Sequence, residues 1–229
     1  MRFILATVTA WTIASSAFAQ TPQRTFTYVD LQGWGNRNLA DGQGSGNPDN
    51  NLTSLPSGPQ PFGDVKFKID EKLIQLGSTI LDDLPEKVEG ITVNRRVSKL
   101  HFLHSTCFGA GATEDEMGIS YVKDGTLIGE YRVNYEDRSA MIIPIIYGED
   151  VRDWFFREGW KSTSRGKMVW KGSNEVSKSY SKEIRIFLSN WENSYPDKVV
   201  TTIDFSSKKT ETPAAPFCLA ISSEGDRAR

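Results

Sequence analysis

Two histidines, five loop or strand tryptophans and an oxygen-rich stretch around residues 36–51 hold most of the chemistry this chain could perform. His101 and His104 are three apart in an apolar, strand-like run. Side chains alternate between the faces of a strand, so these imidazoles point to opposite sides and cannot easily share a metal. Structural histidines near a strand end are the expectation. Acids cluster at Asp82-Asp83, Glu114-Asp115-Glu116 and Glu149-Asp150. Glycoside hydrolysis needs two carboxylates facing across a cleft, which adjacent loop acids do not supply. They read as solvated turns. The chain carries no Gly-x-Ser-x-Gly elbow, no phosphate-binding loop and no His-Glu-x-x-His. Gly42-Gln43-Gly44-Ser45-Gly46 begins like a dinucleotide fingerprint, but Asn47 stands where its third glycine belongs and no helix follows.

Aromatic rings are natural sugar platforms, because a pyranose C–H face packs on an indole while polar side chains bind its hydroxyls. Trp154, Trp170 and Trp191 fall in or beside strand-like runs and are assigned to the core. Trp34, between Gly33 and Gly35, and Trp160, after Gly159, have loop surroundings and are the platform candidates. Asn36, Arg37 and Asp41 lie close to Trp34 and offer polar contacts. Asp41, Asn47, Asp49, Asn50 and Asn51 present hard oxygens in one loop. Asp41, Asp49 and Asn51 are the ligands a structural calcium would take there, although no regular calcium-loop spacing is matched. No other cofactor is required.

These residues must be positioned by strands, because period-2 patterns and β-branched residues dominate. Tyr131, Val133 and Tyr135 alternate with Arg132, Asn134 and Glu136, and Val199, Thr201, Ile203 and Phe205 repeat the pattern. Ile184, Ile186 and Leu188 form another single face, and runs at 100–103 and 141–146 suit more central strands. Further candidates at 26–31, 65–69, 88–93, 119–122, 167–171 and 217–221 bring the count to ten or eleven. That spacing predicts an all-β fold, a two-sheet antiparallel β-sandwich with an inward set including Phe102, Ile186, Ile203 and Phe205. The best helical stretch, 148–156, supports a turn or two. Residues 32–61 form a long Gly-, Asn- and Pro-rich loop, a length usually functional or metal-pinned. Residues 222–229 read as a frayed polar tail.

Met1-Arg2, an apolar run from Phe3 to Ala17 and Ala17-Phe18-Ala19 have the layout of a secretory signal peptide over 1–19. The expected mature unit is one domain over 20–229, located in the periplasm, at the cell surface or in the medium. A net charge of −2 excludes a basic nucleic-acid footprint, and no later run is apolar for long enough to span a bilayer as a helix. Cys107 and Cys218 both sit in apolar strand-like runs. Export permits a disulfide between them, and burial as two free thiols is the equal alternative.

The order of segments resembles the galactose-binding-like β-sandwich modules of bacterial secreted glycoside hydrolases. The matching residues are Tyr28-Val29-Asp30-Leu31, Asn36-Arg37, Asp41, Asn50-Asn51-Leu52, Leu55-Pro56-Ser57-Gly58 and Pro61-Phe62-Gly63-Asp64-Val65-Lys66-Phe67. Leu100-His101-Phe102-Leu103-His104, Asp153-Trp154, Trp191-Glu192-Asn193 with Pro196, Ile203-Asp204-Phe205 and Ala220-Ile221 continue the set. The resemblance covers nearly the whole mature chain and implies a jelly-roll sandwich and a polysaccharide or glycan partner. Its motifs look like framework, and no accompanying catalytic domain is expected. A non-catalytic carbohydrate-binding protein is therefore the leading expectation. An envelope module that contacts another envelope protein without binding sugar, and a glycan-active hydrolase, are the alternatives.

Overall fold

The structure is a computed structural model and describes residues 24–44, 46–109 and 122–225. The leader expected at 1–19, the acids Glu114-Asp115-Glu116, most of the strand expected at 119–122 and the last four residues lie outside the described residues. The described chain is all-β, with antiparallel sheets packed against each other as a β-sandwich. Its strands are β1 (Phe26–Val29), β2 (Arg37–Asn38), β3 (Gly58–Phe62), β4 (Val65–Ile69), β5 (Lys72–Gln75), β6 (Lys87–Arg96) and β7 (Lys99–Cys107). They continue as β8 (Leu127–Tyr135), β9 (Ala140–Ile146), β10 (Phe155–Phe156), β11 (Lys167–Gly172), β12 (Glu183–Glu192), β13 (Val199–Ser207) and β14 (Ala215–Glu224).

One sheet runs β10-β12-β7-β14-β5-β2, with β1 added on β14 and β11 on β12. The other runs β6-β13-β8-β9. Their facing sides bury Phe102, Phe187, Tyr131, Ile203 and Phe205 in one interlayer core. Tyr131 stacks between Phe102 and Phe205, with ring centroids 4.0 and 4.7 Å away. Stacked aromatic pairs of this kind contribute roughly 0.5–1.5 kcal/mol beyond the area they bury.

The large sheet is covered on its other face as well. The β3–β4 hairpin and the preceding loop lay Leu52, Leu55, Phe62, Val65 and Phe67 over Ile184, Ile186 and Leu188 of β12 and Phe217 of β14. Ile186 is thus fully buried, as expected, but against this outer layer rather than between the two sheets. Double coverage explains why β7 and β14 are buried along nearly their whole length and read as continuous apolar runs.

Two expectations need correction. Residues 148–156 form turns, a bridge between Tyr147 and Val151, and β10 rather than helix. The helix, α1 (Glu175–Ser179), is opened by a reciprocal cap in which Asn174 and Ser177 bond each other's side chains and backbone. Ser222, Ser223 and Glu224 are not tail but the end of β14, paired with both β1 and β7. Among the described residues no helix is long and apolar enough to cross a membrane.

Candidate functional site

The sequence-nominated residues do not converge. Trp34 donates its indole N–H to the Glu89 carbonyl at 3.0 Å and packs against the interlayer core, which makes it framework. Trp160 lies in the turn after β10, with the Lys182 ammonium 4.9 Å from its ring centroid. Asn36 pairs through both amide ends with the Gln75 backbone at 2.9 Å, in effect extending β2 alongside β5. Arg37 sits on β2, with its guanidinium 3.9 Å from the Asp83 carboxylate. Of these residues, Asp41 lines an open groove.

Among the residues nominated for calcium, Asp41 and Asn51 have side-chain oxygens engaged in local turns. Asp41 Oδ2 accepts from the Asn38 backbone N–H and side chain, at 2.7 and 3.0 Å. Asn47 Oδ1 accepts the Asp49 N–H at 3.0 Å, and Asn51 Oδ1 accepts from the Thr53 N–H and hydroxyl. Asn50 is buried, donates to the Gln43 carbonyl at 2.8 Å and accepts from the Asn174 amide at 3.1 Å. Short polar side chains bonding nearby backbone are the ordinary chemistry of such turns. The 32–61 stretch is therefore a laced scaffold containing β2 and β3, not a structureless loop. Among the described residues no three His, Cys, Asp or Glu side chains gather into a metal-sized group.

This scaffold borders an open groove of about 840 Å³ between the 38–57 segment and the β4–β5 turn. Leu39, Leu55 and Ile69 form its apolar part. Around them stand the carboxylates of Asp41, Asp70 and Glu71, the amides of Gln32 and Asn38, and the hydroxyls of Thr53 and Ser57. Lys72 is the single basic residue of the lining, and Asp70 is paired at 2.7 Å with Lys68. The groove offers many acceptors and carries negative charge. No tryptophan lines it.

A second cavity, of about 310 Å³, lies at the margin of the sandwich between β9 and β12. Phe102, Ile143, Ile145 and Trp191 form apolar walls, and His104, Ser189, Asp150 and Arg165 supply its polar groups. Trp191, assigned to the core from sequence, is only partly buried and faces this cavity. Arg165 grips the buried Asp150 carboxylate with two bonds of 2.6 Å.

His104 is fully buried, and both of its ring nitrogens have hydroxyl partners. The Cys218 thiol faces the Ala220 carbonyl at 3.7 Å, and a carbonyl can only accept. The sulfur neighbours the Tyr131 hydroxyl and has a lone pair to offer it. With its own proton turned to the sulfur, the phenol oxygen, 3.2 Å from His104 Nδ1, is placed to accept that N–H. In that tautomer Nε2 carries the lone pair, to which Ser189 Oγ, 2.8 Å away, donates. Burial pushes the His104 pKa down to about 4, opposed by the nearby Asp150 carboxylate, so the ring is neutral at pH 7.

Sequence reasoning placed His104 on a strand but missed Ser189, because their 85-residue separation is closed only by β7–β12 pairing. The available signal was a polar residue at 189 on the face that carries Phe187 and Trp191. Comparison with known proteins adds no assignment: no protein-family model matches the chain, and no curated protein matches it.

Proposed function

We propose that this is an exported carbohydrate-binding protein, and that the open groove beside the 38–57 scaffold holds a neutral polysaccharide without acting on it. The carrying observation is the groove lining, with three carboxylates, two amides and two hydroxyls around a small apolar floor. Sugar hydroxyls donate to carboxylates, exchange both roles with amides, and leave C–H faces for Leu39, Leu55 and Ile69. An acidic groove disfavours uronate or sulfate chains by like-charge repulsion, so neutral or amino sugars are the preferred class. The likeness to galactose-binding-like modules and the leader-like N-terminus support the same reading.

The test is retention of the purified protein in affinity gels cast with neutral, amino or uronate polysaccharides. Glu71 is exposed, so Glu71→Gln combined with Asp70→Asn removes charge from the groove rim without touching either core. The double variant should bind more than tenfold more weakly, about 1.4 kcal/mol, with an unchanged melting temperature. Absence of retention on every neutral and amino glycan would refute the reading.

A further inference from the structure

We propose that the interlayer cavity is a second, catalytic site, in which Ser189 is a nucleophile activated by His104 toward small, uncharged acyl esters. It is independent of the groove and of any sugar bound there. Three observations on separate elements carry it. Ser189 Oγ on β12 lies 2.8 Å from His104 Nε2 on β7, within the range for a nucleophile and its base. Tyr131 Oη, 3.2 Å from His104 Nδ1, is placed to accept its N–H, the tautomer in which Nε2 presents the lone pair the serine proton needs. Tyr131 here takes the orienting position that a carboxylate occupies in serine hydrolase triads. Finally, the pair faces a cavity whose exposed Ile142 and half-exposed Arg165 show that it reaches the surface.

The lining sets the substrate class. Phe102, Ile143, Ile145 and Trp191 favour an apolar acyl or aryl group, and about 310 Å³ is the small end of ligand cavities. In the first step Ser189 Oγ bonds to the ester carbonyl carbon while its proton passes to His104 Nε2. Asp150, buried nearby, stabilises the imidazolium, and Arg165 in the same lining is the cation that a developing oxyanion meets. The intermediate collapses with cleavage of the ester C–O bond, and the alcohol leaves with the His104 proton. Water then attacks the acyl-serine, giving one proton to His104. Collapse releases the carboxylic acid and returns that proton to Ser189.

The experiment treats the purified protein with a fluorophosphonate probe, followed by peptide mass mapping, and measures p-nitrophenyl acetate hydrolysis. The expected result is phosphonylation at Ser189 and turnover that Ser189→Ala lowers by about 100-fold or more. Ser189→Ala leaves a small residue on a strand, and its melting curve reports whether the fold is kept. Tyr131→Phe preserves the aromatic stack and removes the hydroxyl that orients His104. It should lower kcat about tenfold with KM unchanged, which a purely structural role would not do. An unlabelled Ser189 in natively folded protein would overturn the proposal, and so would hydrolysis that survives Ser189→Ala. Glycan retention is measured separately, so failure here leaves the groove reading standing.

Discussion

Cys107 and Cys218 lie on adjacent antiparallel strands, three positions out of register, and enter opposite faces of the large sheet. Cys107 pairs with Ala215 and packs into the outer layer, whereas Cys218 pairs with His104 and faces the interlayer core. Adjacency alone would favour a bridge, but sulfurs on opposite faces cannot reach the short, specific geometry one requires. Both are buried free thiols, which corrects the bridged alternative. Burial pushes the Cys218 pKa up to about 12 and that of Cys107 higher still. Denatured, unreduced protein should therefore titrate two thiols, while the native protein resists alkylation at neutral pH. Reductant should leave the melting temperature unchanged.

Trp34 is held by its bond to Glu89 and by contact with the interlayer core, so its substitution is a stability experiment. Trp34→Ala should cost about 2–4 kcal/mol, measured by denaturant unfolding, because a partly buried ring leaves a partly solvated gap. Trp160→Ala removes a cation–π contact with Lys182 and should cost at most about 1 kcal/mol. Neither change should weaken glycan retention in the groove. Loss of retention in either variant would restore these tryptophans to the site.

The strands were legible because alternation survives where one face is buried and the other wet. β4 runs Val65–Ile69 as the pattern predicts, and β8, β9 and β13 hold the expected residues. β2 and β10 have two residues each, too few to show a period, and β3 carries two prolines. The helix at Glu175–Ser179 has no apolar stripe; its signal was the Asn174–Ser177 cap, which polar content masked. The site was less legible than the fold. Glycine neighbours suggested that Trp34 was uncovered, yet Gly35 is small because Lys72 packs there, 2.6 Å from where a Cβ would stand. Ser189 and His104 meet through sheet register, which no local pattern encodes.

The scaffold beside the groove is pinned by Asn174. The Asn174 amide donates to Asn50 Oδ1 at 3.1 Å and to the Asn51 carbonyl at 2.9 Å, while its oxygen caps α1. Asn174→Ala removes a helix cap and leaves buried acceptors unpaired, and should cost about 2–4 kcal/mol. Chelation with EDTA should leave the melting temperature unmoved. A chelator-sensitive melt that calcium restores would show that Asp41, Asp49 and Asn51 coordinate after all.

His104 and Asp153 oppose each other in the acid range. Burial lowers His104 from 6.5 to about 4, so between those values the unfolded chain binds more protons and acidification destabilises the fold. Burial raises Asp153 from 3.8 to about 6, against the Gly109 and Phe155 N–H groups that favour its charge. There the folded chain binds more protons, and acidification stabilises it. Each effect is about 3 kcal/mol across its window, and the windows nearly coincide. Around His104, Tyr131 and Cys218 titrate far above this range, and Asp150 is clamped by Arg165. The pair should thus cancel in the wild type. Relative to wild type, Asp153→Asn should lose about 3 kcal/mol between pH 6.5 and 4, and His104→Gln should gain about as much. Other carboxylates act alike in all three proteins, so the differences isolate these two groups. Urea unfolding at four pH values provides the measurement, and three parallel stability curves would rule out the opposition.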